Sequence, residues 1–405
     1  SVSLYLSAEG GEGWQYEWAR DLPNASLVRD GDSFRIGGIE FQVIATPGHT
    51  PEHISFSVID HGGGASTPIG IFSGDFVFVG DVGRPDLLET AAGQEGAKET
   101  SARSLFSSLR DFGNVSSEVQ IWPAHGAGSP CGKSLGAIPS TTAGYEHKYN
   151  TAYKLASDAN EQAFVDFILA DQPEPPVYWA RMKTLNRDGA PLVGRMPLPT
   201  RLSAFDVANL HDSGSTLFVD TRLDREQFMA KHLQGSIFAP AGNTFPILVG
   251  TYADPDQDLV LLVENDDQVE ELVRMALRVG LDRIGGYALI DDLLAETTLS
   301  PLVTSIERRT TSELSTILDN DPHRAVLDVR GSREFREGHV DGATNIAHTR
   351  LPLHAGELKG SKLAVHCASG ARAAAAASYL AHLGFDLIYV DGSFSEIGQL
   401  GSVVS

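Results

Sequence analysis

A repeat in the second half of the chain constrains the fold more than any other feature of the sequence. The stretch Leu-Phe-Val-Asp-Thr-Arg at 217–222 recurs as Ala-Val-Leu-Asp-Val-Arg at 325–330, and His-Leu-Gln-Gly at 232–235 recurs as His-Val-Asp-Gly at 339–342. The period of about 107 residues is too long for the stacked units of a solenoid. Each copy alternates strand-like and helix-like segments, which is typical of a mostly parallel sheet. The repeat predicts two copies of a small α/β domain, at 201–300 and 301–405.

The two copies differ at a position where chemistry is expected. When the glycines that end the corresponding helices are aligned, Val263 of the first copy lies opposite Cys367 of the second, and Gln268 lies opposite Arg372. The first copy therefore lacks both a nucleophile and a cation at this place. We interpret it as catalytically inactive, with a structural or docking role.

Cys367 follows an apolar run at 363–365 and precedes an alanine-rich segment at 373–383, with a short Ser/Gly loop between them. This order predicts a thiol at the end of a buried strand and above the N-terminus of a helix, where free N–H groups and the helix dipole favour an anion. Arg372 adds a cation nearby. Both effects are expected to lower the pKa of the thiol and to favour the reactive thiolate. The alternative is a buried core cysteine without chemistry.

Residues 312–400 resemble the rhodanese (sulfurtransferase) family in the scaffold motifs Asp-Val-Arg at 328–330, Glu-Phe at 334–335 and Gly-His-Val-Asp-Gly-Ala at 338–343, and in the six-residue loop that begins at Cys367. The resemblance implies that Cys367 attacks a sulfane-sulfur donor and carries the sulfur as a persulfide. It also implies that an oxyanion-type loop stabilises this anion, formed by Ala368, Ser369, Gly370, Ala371 and Arg372. The remaining scaffold residues of the motif are interpreted as fixing loops through hydrogen bonds and not as catalytic: Asp328, Arg330 and His339.

The first 171 residues begin with short strand-like runs between turn signals, and helices are predicted later, at 98–111 and 142–159. This order favours a sheet-rich layered domain with helices outside. A Pro-rich passage at 172–200 is predicted to be a semi-rigid linker, and its Trp179 suggests that it packs on a neighbour.

Three segments of this first domain place metal-ligand side chains directly after predicted strands. They contribute His49, Asp75, and the pair His125 and Cys131. Loops at the ends of such strands are expected to converge on one edge of a sheet. Histidine and carboxylate ligands with open positions suit non-haem Fe(II), with Zn as the alternative.

The same segments resemble the metallo-β-lactamase superfamily and, within it, the persulfide dioxygenases. The motifs are Pro-Gly-His-Thr-Pro at 47–51, Gly-Asp at 74–75, Gly-Arg-Pro-Asp at 83–86 and Pro-Ala-His at 123–125. The fold implied is a partial αββα sandwich, followed by the two rhodanese-like domains. The resemblance implies that His49 and Asp75 bind a single Fe(II), that Arg84 and Asp86 lie beside the substrate, and that His125 supports the site without binding the metal. Asp81 is interpreted as a loop residue.

The His-x-His-x-Asp-His motif of the superfamily does not occur, because no histidine precedes His49. We expect that the N-terminal part of the domain is missing from this chain, with the third metal ligand, and that iron binds weakly; a naturally degenerate form of the domain is the alternative. Cys131 lies in a Gly-rich loop, where it either holds or relays sulfur or only packs; the sequence leaves both possibilities open.

The net charge of −22 argues against binding of nucleic acid or of an anionic membrane surface. No apolar run approaches membrane-spanning length, and no signal peptide is visible. The two cysteines, Cys131 and Cys367, are interpreted as separate functional thiols, which fits a reducing cytoplasm. A homo-oligomer, most simply a dimer, is expected.

Together the resemblances imply an enzyme of sulfide detoxification. A low-molecular-weight thiol persulfide, of glutathione, coenzyme A or a similar thiol, would be oxidised by O₂ to sulfite, and Cys367 would transfer sulfane sulfur to form or to use thiosulfate. Two alternatives are kept. One is a Zn-dependent thioester hydrolase of the glyoxalase type fused to a rhodanese, and the other is a sulfur carrier without oxidation.

Overall fold

The computed structural model describes residues 2–11, 13–90, 93, 95–133, 135–196, 198–399 and 403–404. Pro197 of the predicted linker and the extreme ends of the predicted terminal domains lie outside this set. The chain divides into two compact units. The first contains the residues up to Pro175 together with Lys183–Ala190, and the second contains Pro176–Met182 and the residues from Pro191 onward.

The predicted linker at 172–200 contains a helix, α6, over Trp179–Asp188. The prolines of this passage lie before and after this segment, whereas residues 179–188 include no proline or glycine and several good helix formers. The middle of the predicted semi-rigid linker is therefore helical.

The first unit is built on a six-stranded mixed sheet in the order β3-β4-β5-β6-β7-β8, with a separate parallel pair β1-β2. Its strands are β1 Leu4–Ser7, β2 Ala25–Val28, β3 Ser33–Ile36, β4 Ile39–Ala45, β5 Ile54–Asp60, β6 Gly70–Gly74, β7 Gln120–Pro123 and β8 Thr141–Thr142. Strand β5 runs antiparallel to both β4 and β6, and β6 is parallel to β7. Strands β4, β6 and β7 therefore end at the same edge of the sheet, which confirms the predicted convergence of the three loops.

Helices cover this sheet through an apolar core that includes Leu105 and Leu109 of α2 and Phe164 of α5. The helices of the unit, besides the part of α6 that it shares, are α1 Leu87–Thr90, α2 Ala97–Phe112, α3 Ala143–Tyr149, α4 Thr151–Ser157 and α5 Glu161–Leu169.

The prediction of one continuous helix over 142–159 is wrong, because Asn150 separates α3 from α4. Its backbone is extended (ψ 118°), and its side-chain oxygen accepts the N–H groups of Ala152 and Tyr153 as the N-cap of α4. Its amide nitrogen donates to Glu146 at 2.9 Å and to the carbonyl of Asp81 at 3.0 Å. An asparagine side chain that binds nearby backbone groups competes with helix continuation.

The second unit contains both copies of the repeat, and each copy has a five-stranded sheet whose pairings are all parallel. The order is β12-β10-β13-β14-β9 in the first copy and β16-β21-β20-β17-β19 in the second. These strands are β9 Thr200–Arg201, β10 Thr216–Asp220, β12 Ile237–Phe238, β13 Asp258–Val263 and β14 Ile284–Leu289, then β16 Glu307–Thr310, β17 Arg324–Asp328, β19 Thr344–Asn345, β20 Lys362–His366 and β21 Leu387–Asp391. Two short antiparallel pairs complete the unit: β11 His232–Leu233 with β15 Val303–Thr304, and β18 His339–Val340 with β22 Val403–Val404. The predicted parallel α/β class is confirmed.

The helices of the second unit pack around three apolar core clusters, of which one includes residues from both copies, one lies in the first copy and one lies in the second. They are α7 Ala204–Ser213, α8 Arg225–Ala230, α9 Phe245–Tyr252, α10 Val269–Arg278, α11 Ile290–Ala295, α12 Leu314–Asn320, α13 Ser332–Arg336, α14 Leu351–His354, α15 Ala371–His382 and α16 Phe394–Gln399. Short 3₁₀ segments occur at Asp266–Gln268, Thr297–Leu302, Thr311–Glu313, His348–Arg350 and Ala355–Leu358. The alanine run of helix α15 is enclosed by protein, since all five alanines from Ala373 to Ala377 have no exposed surface, whereas Ala371 at the start of the helix is exposed. Among the helices of the described residues, none has the length and apolar character needed to cross a membrane.

Candidate functional site

The thiol of Cys367 lies between the end of β20 and the start of α15. Its Sγ accepts a hydrogen bond from the backbone N–H of Ala373 at 3.3 Å, and the residue is 1% exposed. The loop turns at Gly370, which has a φ of +87°; a Cβ there would lie 2.0 Å from Oδ1 of Asp391. Glycine is required at this position both for the left-handed backbone and for the close approach. The loop thus holds a sulfur atom at the N-terminal end of a long helix.

Arg372 lies beside this thiol, but a carboxylate also holds it. Its guanidinium binds Glu334 through two hydrogen bonds of 2.6 and 2.8 Å. The bond to Glu334 raises the pKa of Arg372, and Arg372 in turn lowers the pKa of Glu334. Both groups therefore stay charged, and the charge of Arg372 also acts on Cys367. The sequence places Glu334 in a scaffold motif but does not indicate that it orients this arginine.

His348 is a neighbour of this ion pair that sequence reasoning missed. Its Nδ1 is buried and has no hydrogen-bond partner among the described residues. Burial, followed by the positive charge of Arg372, lowers the pKa of His348 to about 4. The imidazole is therefore neutral at physiological pH, and it leaves a polar atom available near the thiol loop.

The lowered pKa of His348 predicts a pH dependence of stability. Its pKa is about 6.5 in the unfolded chain, so the unfolded state binds a proton first as the pH falls from about 6.5 to about 4. The free energy of unfolding should therefore fall over this range, and a His348→Gln variant should lose less stability over it. Urea unfolding at a series of pH values measures this. The exposed His323→Gln is the control and should reproduce the wild-type slope; a His348→Gln slope equal to that of wild type would contradict the prediction.

The other predicted scaffold residues of the second copy contact protein groups. Arg330 binds the buried carboxylate of Asp328, with Nε at 2.9 Å and Nη2 at 2.7 Å from Oδ2, and Nη2 also donates to the carbonyl of Gly338 at 2.7 Å. The Nδ1 of His339 is 2.9 Å from the carbonyl of Phe335, and the two rings stack at 3.7 Å. These are contacts that tie a loop to the end of β17.

The first copy repeats these contacts without the thiol. Arg222 binds Asp220 and the carbonyl of Lys231, and His232 binds the carbonyl of Phe228 and stacks on its ring. Strand register also supports the alignment of the copies. Asp220 pairs with residue 262 as Asp328 pairs with residue 366, so the next residues, 263 and 367, are equivalent. Val263 therefore occupies the position of the thiol.

A second cluster lies in the first unit, at the edge where β6 and β7 end. The Nε2 of His125 is 3.0 Å from Oδ1 of Asp75. One ligand atom each of Asp75, His125 and Cys131 lie within 4.8 Å of one another, and all three residues are half-buried. An oxygen, a nitrogen and a sulfur donor at such distances fit a transition-metal ion. The hydrogen bond to Asp75, and then that to Cys131, raises the pKa of His125 to about 10. Burial opposes ionisation of Asp75, but the bond to His125 and nearby histidines lower its pKa overall.

His49, which the resemblance pairs with Asp75, is not a member of this three-residue cluster in the described part of the chain. It follows β4, on the far side of β5 from Asp75, whereas His125 follows β7, the direct neighbour of β6. The Nδ1 of His49 is 3.1 Å from the carbonyl of Arg84. Since a carbonyl only accepts hydrogen bonds, Nδ1 carries the proton and Nε2 is the nitrogen left for a metal. The structure thus brings His125 and Cys131 to Asp75, and binding of metal by His49 stays a prediction.

His53 supports Asp75 and was not assigned a role from the sequence. Its Nε2 accepts the backbone N–H of Asp75 at 2.9 Å, and its Nδ1 is 2.8 Å from the hydroxyl of Thr46. Burial, and then the charge of His49, lower the pKa of His53 to about 4. A neutral imidazole therefore fixes the backbone of the carboxylate residue.

Arg84 and Asp86, predicted to lie beside a substrate, are buried and bound to each other at 2.7 and 2.8 Å. Arg84 also donates to the carbonyls of Pro130 and Pro173. Asp81 accepts the backbone N–H of Lys133 at 2.7 Å. These contacts fix the loop that carries Cys131 from both sides. A contact of Arg84 or Asp86 with substrate stays a prediction.

Comparison with known proteins agrees with both halves of this description. Residues 310–399 match the family model of the rhodanese-like domain. The thiosulfate sulfurtransferase GlpE of Shewanella oneidensis is 38% identical over 72 residues, which cover 17% of this chain and 71% of that protein. A hydroxyacylglutathione hydrolase of Idiomarina loihiensis is 46% identical over 57 residues, 14% of this chain and 19% of the hydrolase. The chain thus spans only a small part of the length of that hydrolase.

A crystal structure described as a metallo-β-lactamase from Staphylococcus aureus is 34% identical, with a TM-score of 0.60, over 71% of this chain and 77% of that one. The fold and the thiol loop define a protein with a metallo-β-lactamase-like region and a rhodanese domain. The chain belongs to the family in which a metallo-β-lactamase fold is joined to rhodanese-like domains. The predicted family and fold class are confirmed.

Proposed function

We propose that this protein transfers sulfane sulfur through Cys367 and couples the transfer to metal-dependent oxidation of a thiol persulfide by its first unit. The observation that carries the proposal is the hydrogen bond from the N–H of Ala373 to Sγ of Cys367, at the N-terminus of α15 and beside Arg372. This arrangement favours a negatively charged sulfur, which is the species that both attacks a sulfur donor and remains after the attack.

In the transfer step, the thiolate of Cys367 attacks the outer sulfur of thiosulfate. The sulfur–sulfur bond of thiosulfate breaks, sulfite leaves with the bonding electrons, and Cys367 carries a persulfide anion. A second thiolate or cyanide then takes the outer sulfur and regenerates the Cys367 thiolate. The backbone N–H of Ala373 and the cation of Arg372 stabilise the negative charge in both states.

In the first unit, Asp75, His125 and Cys131, with His49 nearby, are the residues that would hold a metal. Fe(II) would supply the activation of O₂ that oxidation of a persulfide to sulfite and thiol requires. His53 fixes the backbone of Asp75, and Arg84 fixes the loop of Cys131, so the donor atoms are held before a metal binds. The persulfide and its thiol carrier, O₂ and sulfite are the proposed partners of this site.

The likeness to a hydroxyacylglutathione hydrolase favours a second candidate function, hydrolysis of a thioester with Zn in the same cluster. Oxygen uptake separates the two candidates. The metal-loaded full chain is given glutathione persulfide or coenzyme A persulfide, and dissolved oxygen and sulfite are measured. Uptake of O₂ with release of sulfite supports the dioxygenase. Cleavage of S-lactoylglutathione without oxygen uptake supports the hydrolase, and loading of Cys367 alone supports a sulfur carrier.

Replacement of Asp75 by alanine is expected to weaken binding of Fe(II) by more than about a hundredfold. Mutation of a residue that hydrogen-bonds a metal ligand lowers metal affinity by roughly 10–100-fold, and loss of the ligand itself should cost more. Anaerobic titration of the metal-free protein with Fe(II) measures the dissociation constant. Asp60→Asn, at the opposite end of the sheet, is the matched control and should bind as wild type. Cys131→Ser should also weaken binding if the sulfur is a ligand. An unchanged affinity of Asp75→Ala would remove the cluster as the metal site.

A further inference from the structure

A side chain of the first copy, which lacks the thiol, contacts the Cys367 loop of the second copy. Arg225 is the first residue of α8 in the first copy. Its Nη2 donates to the carbonyl of Ser369 at 3.2 Å, and its guanidinium contacts Oδ1 of Asp391 at 3.1 and 3.3 Å. Both copies belong to the same compact unit. A side chain from the first copy thus binds the backbone of the loop that carries Cys367.

Asp391, the carboxylate that binds Arg225, also contacts the thiol loop itself. It ends β21, is 5% exposed, and lies directly against Gly370. Tyr389, two residues earlier on the same strand, donates its hydroxyl to the carbonyl of Gly370 at 3.1 Å. Consecutive carbonyl groups of the loop, at 369 and 370, are therefore fixed by one residue from each copy.

A second ion pair links the copies beside this contact. Arg308 of β16 binds Oδ2 of Asp391 at 3.0 Å and Glu226 of α8 at 2.8 Å. The charges alternate through Arg225, Asp391, Arg308 and Glu226, two from each copy. Because Arg308 stays on Asp391 when Arg225 is removed, the buried carboxylate keeps a cation. Loss of Arg225 should therefore release the loop without leaving a buried charge unpaired.

We propose that Arg225 is a positioning residue for sulfur transfer, through which the inactive copy fixes the loop geometry of the active copy. The guanidinium fork binds a carbonyl and a carboxylate together, which a single ammonium group does not reproduce. The expected effect of Arg225 on the rate of sulfur transfer rests on the proposed function. The expected effect of Arg225 on the geometry of the loop does not depend on that function.

The test compares Arg225→Ala and Arg225→Lys with the matched control Glu226→Ala, all in the full chain. Glu226→Ala breaks the neighbouring ion pair between the copies but does not contact the loop. Amide hydrogen exchange of a peptide containing residues 368–373 reports the loop. Thiocyanate formation from thiosulfate and cyanide gives kcat and KM, and thermal unfolding reports stability.

We expect Arg225→Ala to speed exchange of the loop peptide and to lower kcat on the order of tenfold, with a smaller change in KM, since misplacement of a reacting group acts on the chemical step. Arg225→Lys should recover only part of both effects, and Glu226→Ala should change neither by more than about twofold. Loop exchange equal to wild type in Arg225→Ala would overturn the proposal, as would equal losses in Arg225→Ala and Glu226→Ala. If wild type transfers no sulfur while Arg225→Ala still speeds loop exchange, the proposed function fails and the positioning role stands.

Discussion

Replacement of Cys367 by serine is expected to lower the rate of thiocyanate formation from thiosulfate and cyanide by at least about a thousandfold. The reason is that the substitution removes the thiolate nucleophile, and without it the covalent persulfide cannot form. The serine hydroxyl fits the space of the thiol, and the N–H of Ala373 can still donate to it. Folding should be retained, so the loss is chemical. Initial rates at saturating thiosulfate give the effect, and mass spectrometry of the protein after incubation with thiosulfate reports whether a sulfur atom is gained.

Cys131→Ser provides the matched control, because it removes the other thiol of the chain and leaves Cys367 in place. This variant should gain one sulfur from thiosulfate and form thiocyanate within about twofold of the wild-type rate. Sulfur transfer that survives in Cys367→Ser and disappears in Cys131→Ser would reverse the assignment of the carrier thiol.

Replacement of Arg330 by methionine is expected to lower the free energy of unfolding of the second unit by about 3–5 kcal/mol. The substitution removes the cation that binds the carboxylate of Asp328, which has no exposed surface, and it removes the guanidinium donor that binds the carbonyl of Gly338. It also removes the cation over the ring of Phe394. Urea unfolding followed by circular dichroism measures the change.

Two further variants separate the buried charge from the loss of packing. The double replacement Asp328→Leu with Arg330→Met removes both charges and should recover most of the lost stability. Arg222→Met should cost about as much as Arg330→Met, since the first copy has the same pair. A loss below about 1 kcal/mol in Arg330→Met would show that the pair contributes no more than a surface ion pair.

The sequence predicts the features that depend on local order along the chain. The repeat predicts two parallel sheets, and the apolar run before Cys367, followed by glycine and alanines, predicts the strand, loop and helix that hold the thiol. The loops at His49, Asp75 and His125 were expected at one edge because each follows a strand. These inferences need only periodicity and the direction of strands.

The features that the sequence does not predict depend on contacts between distant segments. Asn150 separates two helices as the N-cap of the second, and its amide nitrogen also binds the carbonyl of Asp81, which is remote in sequence. His125 reaches Asp75 because β7 is the direct neighbour of β6, an order of strands that periodicity does not give. In the sequence, Arg225 is an ordinary charged residue at the start of a helix. Its contact with Ser369 follows only from the packing of the two copies.

The buried alanine run of α15 affects how the electrostatic interactions of Cys367 depend on the ionic strength of the solution. Dissolved ions screen interactions between exposed charges, with a Debye length of about 8–10 Å near physiological ionic strength. Interactions between buried groups are screened much less. Ala373–Ala377 of α15 and Cys367 are buried, and the N–H of Ala373 donates to Sγ of Cys367, whereas Ser369 and Ala371 at the start of the helix are exposed. The attraction of this buried N–H group for a sulfur anion is therefore shielded from salt and should keep its strength as the ionic strength of the medium changes.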